Sequence, residues 1–324
     1  MKRFLQCLSG IMFVALVLVP AASNAADITI KVATTVSTKH SWIKVLDVLQ
    51  KETDKRLPGK VHYQVFLGAQ LGKDPVVLAG LQSGTHMMSL QGSSPASIIP
   101  EYGLFDAPFM FSSRKQVKRI IAAVGDDIKN ASLKKGIVMT AIGELGFRQI
   151  SNNVRPIVKP ADLNGVKLRT PDNPFRISIF KHFGANPTPM AFPEVYVSLR
   201  QGVIDGQENP LPSINSGKFH EVQKYISMTY HVFTPTVIMF SKKHWDQWPA
   251  DVQKAITQAS QAAMNYSHEL SAENDGKLRS VMEKHSKFNE IDAAAFREAS
   301  KPLYASIEAK VGKALWAKVM AAAK

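Results

Sequence analysis

The chain has 324 residues, with 40 lysines and arginines against 26 aspartates and glutamates, so its formal net charge is +14 at pH 7. This length allows two packed lobes, because single hydrophobic cores stop growing near roughly 250 to 300 residues. The single cysteine, Cys7, lies close to the N-terminus, which excludes disulfides and cysteine-based metal sites from the rest of the chain.

The positive charge could bind nucleic acid, a membrane surface or small anions. The basic residues are scattered along the sequence, and no arginine-aromatic RNA motif or recognition-helix signature occurs. We therefore expect no nucleic-acid partner and interpret most of the charge as a solvated surface.

Residues 1–25 have the pattern of a secretory signal peptide. Lys2 and Arg3 precede the apolar run 11–19, and small residues ending at Ala25 form a cleavage site. The apolar run is shorter than the roughly 20 residues that a membrane helix needs. The sequence thus predicts cleavage after Ala25 and a periplasmic mature protein.

The next segments alternate between strand and helix patterns. Strands are predicted at 28–35, 61–67 and 87–91, with a helix after the first and another at 74–82, a pattern typical of a parallel sheet with crossover helices. In such sheets ligands bind beyond the carboxyl ends of the strands. That edge carries small polar residues that suit either a ligand or ordinary turns: Thr34, Thr35, Gln91, Ser93 and Ser94.

Two arginines lie on short segments after a predicted helix at 115–124 and a strand at 137–142. Arg148 follows a glycine in 146–149, and Arg169 lies in the alternating run 165–170, which a proline ends. A guanidinium matches both oxygens of a carboxylate and stays charged at any working pH. The pair suggests a carboxylate site, although ordinary exposed or salt-bridged arginines would give the same pattern.

The remaining segments predict a second lobe and a long helix that packs across both lobes. Helices are expected near 173–183 and 193–201, and strand-like runs at 224–232 and 236–240. From Pro249 a long helix carries apolar residues at helical spacing, which we interpret as packing across the lobes. An α/β chain that crosses more than once between two lobes implies a hinged cleft for a small ligand.

Several sequence blocks, in the right order, resemble the solute-binding proteins of tripartite ATP-independent periplasmic (TRAP) transporters, of the DctP type. The blocks are QLG at 70–72, GFRQ at 146–149, DLNGVKLR at 162–169, GANPTPMAFPEVY at 184–196 and VIDGQENP at 203–210. The resemblance implies a two-lobed periplasmic protein, without a cofactor or metal, that delivers an organic acid to a membrane permease, and it favours a monomer. We place lobe I at 26–147 with 232–324, and lobe II at 148–231.

The resemblance also implies roles for individual residues. Arg169 would make the main pair with the ligand carboxylate, Arg148 a second basic contact, and Asn209 an amide contact to the same group. Phe192 would pack against the ligand body. Thr35, Gln91 and Ser93 would touch the distal end of the ligand. His231 would correspond to a histidine that lies near the site in some members.

The sequence departs from the sialic-acid-binding members, which tend to have an asparagine near Thr35 and a glutamate near Gly92. Sialic acid is therefore disfavoured. Sugar acids such as uronates, C4-dicarboxylates and other hydroxy or keto acids stay open.

Two other functions compete with solute delivery to a permease. An exported hydrolase or lyase could use a carboxylate pair such as Asp205 and Glu208, or a histidine base. However, no Gly-x-Ser-x-Gly elbow, His-Glu-x-x-His helix, phosphate loop or dinucleotide fingerprint occurs. We therefore expect no enzymatic activity. A sensor that presents its ligand to a membrane receptor would use the same cleft.

Overall fold

A computed structural model describes residues 28–324, so the predicted signal peptide lies outside the described residues. The strands are β1 (Ile28–Ala33), β2 (Val61–Phe66), β3 (Met88–Gln91), β4 (Ile137–Ile142), β5 (Gly146–Asn152), β6 (Lys167–Thr170), β7 (Asn186–Pro189), β8 (Gly206–Pro210), β9 (Tyr225–Ser227), β10 (Phe233–Thr234), β11 (Val237–Ser241) and β12 (Lys287–Asn289).

The helices are α1 (Ser41–Arg56), α2 (Asp74–Ser83), α3 (Arg114–Lys134), α4 (Pro174–His182), α5 (Val195–Arg200), α6 (Leu211–Ser216), α7 (Lys242–Trp245), α8 (Ala250–Met282), α9 (Ala293–Val311) and α10 (Lys313–Ala323). Short 3-10 helices occur at Ser94–Ser97, Pro100–Asp106, Pro160–Leu163, Phe192–Glu194 and Phe219–Glu221. No helix among residues 28–324 is long and apolar enough to cross a membrane.

The first lobe is built on a five-stranded sheet in the order β2-β1-β3-β11-β4. β1 pairs in parallel with both β2 and β3, as the alternating pattern predicts, whereas β11 runs antiparallel to β3 and β4. The carboxyl ends of β1 and β3 therefore lie side by side. This arrangement brings the segments that follow them, including Thr35 and Ser93, to one edge of the sheet.

The second lobe is built on a seven-stranded sheet in the order β12-β9-β5-β8-β6-β7, with β10 paired to β5. β5 and β6 flank β8, antiparallel and parallel respectively. Arg148 and Arg169 thus lie on strands on either side of β8. The α/β, two-lobed class predicted from the sequence is confirmed.

The chain passes between the sheets several times. β4 leads from the first sheet to β5 in the second, and β10 leads back to β11. The long helix predicted after Pro249 is α8, which packs on α1 of the first lobe and on α6 of the second. After α8 the strand β12 joins the second sheet, although the sequence-based boundary assigns it to lobe I.

Some element boundaries differ from the sequence-based prediction. Helix α3 continues for ten residues beyond position 124, because Ile128, Ala131 and Ser132 extend its buried stripe. The helix predicted at 193–201 begins as a 3-10 turn and becomes α-helical only at α5. Of the strand-like run 224–232 only β9 pairs in a sheet, and the residues after it form an irregular crossover.

Candidate ligand-binding site

A small cavity of about 50 Å³ lies between the two lobes. From the first lobe and the β4–β5 connection it is lined by Thr35, Val36, His40, Trp42, Asp74, Gly92, Ser93, Ser94 and Leu145. From the second lobe it is lined by Arg148, Arg169, Pro171, Phe192, Asn209 and Ser213. Two larger cavities, of about 530 and 520 Å³, lie elsewhere and include neither Arg148 nor Arg169 in their walls.

Most of the side chains predicted from the sequence meet at this cavity. Its lining includes Thr35, Ser93, Arg148, Arg169, Phe192 and Asn209. Gln91 and His231 are not part of the lining. Gln91 is buried and donates a hydrogen bond through Nε2 to Ser89 Oγ at 2.9 Å, so it lies behind the cavity wall.

Arg148 is held by Glu208, a neighbour on the adjacent strand β8. Its Nε forms an ion pair with Glu208 Oε2, and its Nη2 donates to Glu208 Oε1 at 2.9 Å. Both side chains are almost fully buried, at 2% and 0% exposure. The charge of Arg148 is therefore already compensated within the protein.

Glu208 is also the acceptor for a second buried arginine. Arg176 on α4 donates to Glu208 Oε2 at 2.5 Å and to Asp106 Oδ1 of the first lobe at 3.0 Å. Burial alone would raise the pKa of the Glu208 carboxyl, but Arg148, Arg176 and His231 together hold it well below its usual range. Two arginines thus balance two carboxylates in a buried network that joins the lobes.

His231 completes this network without facing the cavity. Its Nε2 lies 3.0 Å from Glu208 Oε2, and its Nδ1 lies 2.7 Å from Thr229 Oγ1. Burial lowers the pKa of His231 to about 4, so the ring is neutral at pH 7 and donates to Glu208 through Nε2.

Arg169 has a different environment from the two arginines of this network. It is 4% exposed, and its Nε and Nη2 donate to the carbonyl oxygen of Met190 at 2.9 and 2.5 Å. No carboxylate of residues 28–324 lies within 4.0 Å of its guanidinium nitrogens. Burial lowers the pKa of Arg169 to about 10, which still leaves it charged at neutral pH. It is a buried cation without an ion-pair partner in the described part of the chain.

The other predicted contacts surround Arg169 and Arg148. Asn209 Oδ1 accepts from Arg148 Nη2 at 3.0 Å, and its Nδ2 donates to Gln207 Oε1 at 2.6 Å. Phe192 packs edge-on to His40 and against Phe219, which gives the cavity an aromatic wall.

Sequence reasoning missed several residues that shape this site. Glu208 lies in the Gln-Glu-Asn-Pro block, where the sequence suggests only one half of a catalytic pair, whereas in the structure it anchors two arginines. Its partner Arg176 gave no signal in the sequence. His40 was missed as well; its Nε2 lies 3.1 Å from Ser213 Oγ, so it links the lobes across the cavity. Among the described residues no group of acidic, histidine or cysteine side chains could hold a metal ion.

The sequence and the fold match a known family. Residues 32–310 match the model of DctP, bacterial extracellular solute-binding protein family 7. The 2,3-diketo-L-gulonate-binding periplasmic protein YiaO of Escherichia coli is 36% identical over 260 residues, which cover 79% of this chain and 78% of that protein.

Solved structures give the same result. A TRAP periplasmic solute-binding protein from Polaromonas bound to D-erythronate superposes with a TM-score of 0.87 at 30% identity, over 91% of this chain and 99% of that one. Another from Sulfurospirillum deleyianum with bound succinate gives a TM-score of 0.86 at 30% identity, over 92% and 99%. Since the family model spans most of the chain and the relatives share both its length and its fold, the chain belongs to the DctP family of TRAP solute-binding proteins.

Proposed function

We propose that this protein binds one small organic acid between its lobes, through a pair between Arg169 and the ligand carboxylate, and delivers it to a TRAP membrane permease. The candidates are a sugar acid such as a uronate and a C4-dicarboxylate. The observation that carries the proposal is the contrast among three buried arginines: Arg148 and Arg176 have carboxylate partners, whereas Arg169 has none in the described chain.

The energetics favour a ligand as the missing partner. Burying a charge without a counter-ion costs free energy. A carboxylate that reaches Arg169 therefore reduces that cost as well as forming new hydrogen bonds. Hydrogen bonds to charged groups contribute about 1.5 to 3 kcal/mol each. A two-point pair could therefore supply about half of the roughly 8 kcal/mol that micromolar binding requires.

The remaining site residues would surround the bound acid. Asn209 would offer its amide to the same carboxylate, and Arg148, which is paired with Glu208, would hold Asn209 in place through its hydrogen bond to Oδ1. Phe192 would cover the ligand body. Thr35 and Ser93 would meet its distal end. Gln91 and His231 would support the residues of the cavity wall without contacting the ligand, since neither lines the cavity.

We infer that residues 1–25 are removed after Ala25, and that the mature protein acts in the periplasm as a monomer without enzymatic activity. Lobe I would comprise 26–147 with 232–324, apart from the strand β12, which pairs in the second sheet, and lobe II would comprise 148–231. A sensor that shows the same ligand to a receptor would share the cleft; a neighbouring permease gene pair favours transport, and a lone receptor kinase favours sensing.

The proposal is tested by replacing Arg169 with lysine. Lysine keeps the positive charge but cannot form the two-point pair, so we expect binding at least about 100-fold weaker than in the wild type. A thermal-shift screen with uronates, aldonates, dicarboxylates and keto acids first identifies the acid, because a ligand above its dissociation constant raises the melting temperature. Calorimetry with that acid then compares the variants.

Arg155→Lys is the matched control. Arg155 belongs to the same lobe, but its side chain is exposed and remote from the cavity lining. Its replacement should leave the affinity unchanged. Unaltered binding by Arg169→Lys, or no response to any organic acid in the screen, would contradict the proposed function.

A further inference from the structure

Asp74 of the first lobe and Arg169 of the second lobe line the same cavity. Asp74 is the first residue of α2, and its position at the helix N-terminus favours a negative charge. Asp74 and Arg169 are the two residues that line both the inner cavity and an adjoining outer pocket of about 240 Å³. A ligand that extends from one space into the other therefore passes both this carboxylate and this guanidinium.

Asp74 has acceptor capacity to spare. Ser94 Oγ donates to its Oδ2 at 2.9 Å, whereas a carboxylate offers about four acceptor positions. Although the residue as a whole is partly exposed, burial of the carboxyl raises the pKa of Asp74, with Ser94, the charge of Arg169, Thr35 and Gln91 acting in the opposite direction. The neighbouring lining residues Thr35 and Ser93 are uncharged. Their hydroxyls can donate to or accept from a ligand hydroxyl, whereas the Asp74 carboxylate can only accept from one.

The charges in the lining match a ligand with a single carboxylate. Arg148 is committed to Glu208, so Arg169 is the one cation of the inner cavity, within the described chain, that lacks an ion-pair partner. At the outer pocket Lys73 already pairs with Glu194. A second ligand carboxylate would find no free cation there and would lie close to Asp74, where two like charges repel strongly because the site is partly shielded from water.

We infer that Asp74 makes the cleft select polyhydroxylated monocarboxylates over dicarboxylates, by accepting a hydrogen bond from a ligand hydroxyl and repelling a second carboxylate. This inference rests on the acid binding proposed above and narrows its substrate class. Asp74 is thus a specificity-determining residue, and Arg169 supplies the affinity that both classes of acid share.

D-erythronate and succinate form a suitable pair of probes, because each has four carbons and they differ in carrying three hydroxyls or a second carboxylate. Calorimetry should show that the wild type prefers D-erythronate. Asp74→Asn keeps the shape of the side chain and removes its charge, so the ratio of the two dissociation constants should move toward succinate by about tenfold or more. Melting temperatures check that the variant is folded.

Asp47→Asn is the control, because it removes the same charge from an exposed side chain on α1 that lines neither the cavity nor the outer pocket. Its ratio should stay within about twofold of the wild type. A wild type that prefers succinate, an unchanged ratio in Asp74→Asn, or an equal shift in both variants would overturn the inference while leaving acid binding intact. Loss of all acid binding in the wild type would overturn the proposed function as well.

Discussion

Arg148 and Arg169 are chemically identical and flank the same strand, yet their neighbours give them different tasks. Arg148 shares Glu208 with Arg176, which also pairs with Asp106, so these four buried charges sum to zero. Within residues 28–324, the guanidinium of Arg169 donates hydrogen bonds only to the backbone carbonyl of Met190. The first arginine is therefore part of the framework that fixes β5 against β8, and the second is available to a ligand.

Glu208→Gln should be strongly destabilising, because it leaves Arg148 and Arg176 buried with one carboxylate between them. We expect a loss of about 3 to 5 kcal/mol in the free energy of unfolding, measured by urea denaturation. Glu298→Gln, at an exposed ion pair on α9, should produce no measurable change. A loss for Glu208→Gln as small as that of the control would show that the network does not stabilise the fold.

At the scale of elements, the site depends on how closely β8 approaches β5. The first residue of β8 is Gly206, where a Cβ atom would lie 2.3 Å from the carbonyl oxygen of Ser151 and 2.7 Å from the Cβ of Asn152. No side chain fits in that space. Glycine at this position thus sets the strand spacing that brings Glu208 within reach of Arg148.

Gly206→Ala should separate β8 from β5 locally and cost about 1 to 3 kcal/mol of unfolding free energy, as overpacking does elsewhere. Gly276→Ala is the matched control, since Gly276 lies within α8 and a Cβ there meets nothing within 4 Å. Alanine favours a helix over glycine by up to about 1 kcal/mol, so the control should be stabilising. Denaturation of both variants measures the difference, and equal stabilities would refute the role given to Gly206.

Local patterns predicted many elements but not the charge network. The alternation in 165–170 and the proline after it indicated β6, and the apolar stripe after Pro249 indicated α8. The ion pair between Arg176 and Asp106 joins residues 70 positions apart in the sequence. Such a partner depends on how a helix of one lobe meets a 3-10 turn of the other, which no short-range pattern encodes.

At the scale of the whole molecule, buried histidines make stability depend on pH. Burial lowers the pKa of His40 to about 3 and that of His231 to about 4, from an ordinary value of 6.5. Both rings are neutral in the folded protein over a range in which the unfolded chain binds protons. The stability they contribute is therefore fully present above about pH 6.5 and is lost as the pH falls toward the folded values.

Between pH 6.5 and 5 the free energy of unfolding should decrease by up to about 1.4 kcal/mol per pH unit for each of these histidines. Replacing His40 or His231 with glutamine should flatten that slope, whatever the stability at pH 7. His62→Gln, at an exposed position on β2, serves as the control and should keep the wild-type slope. Denaturation curves across this range measure it, and parallel slopes in all variants would exclude the two histidines as the cause.

The repeated passage of the chain between its two sheets has an evolutionary consequence. Because β5 to β10 are enclosed within the sequence of the other lobe, and α8 and β12 cross once more, neither half is a continuous cassette that recombination could exchange. A change of nutrient is then reached most directly by single substitutions in the wall of the cleft. Related proteins would then differ in the ligand that they bind while they keep the same fold.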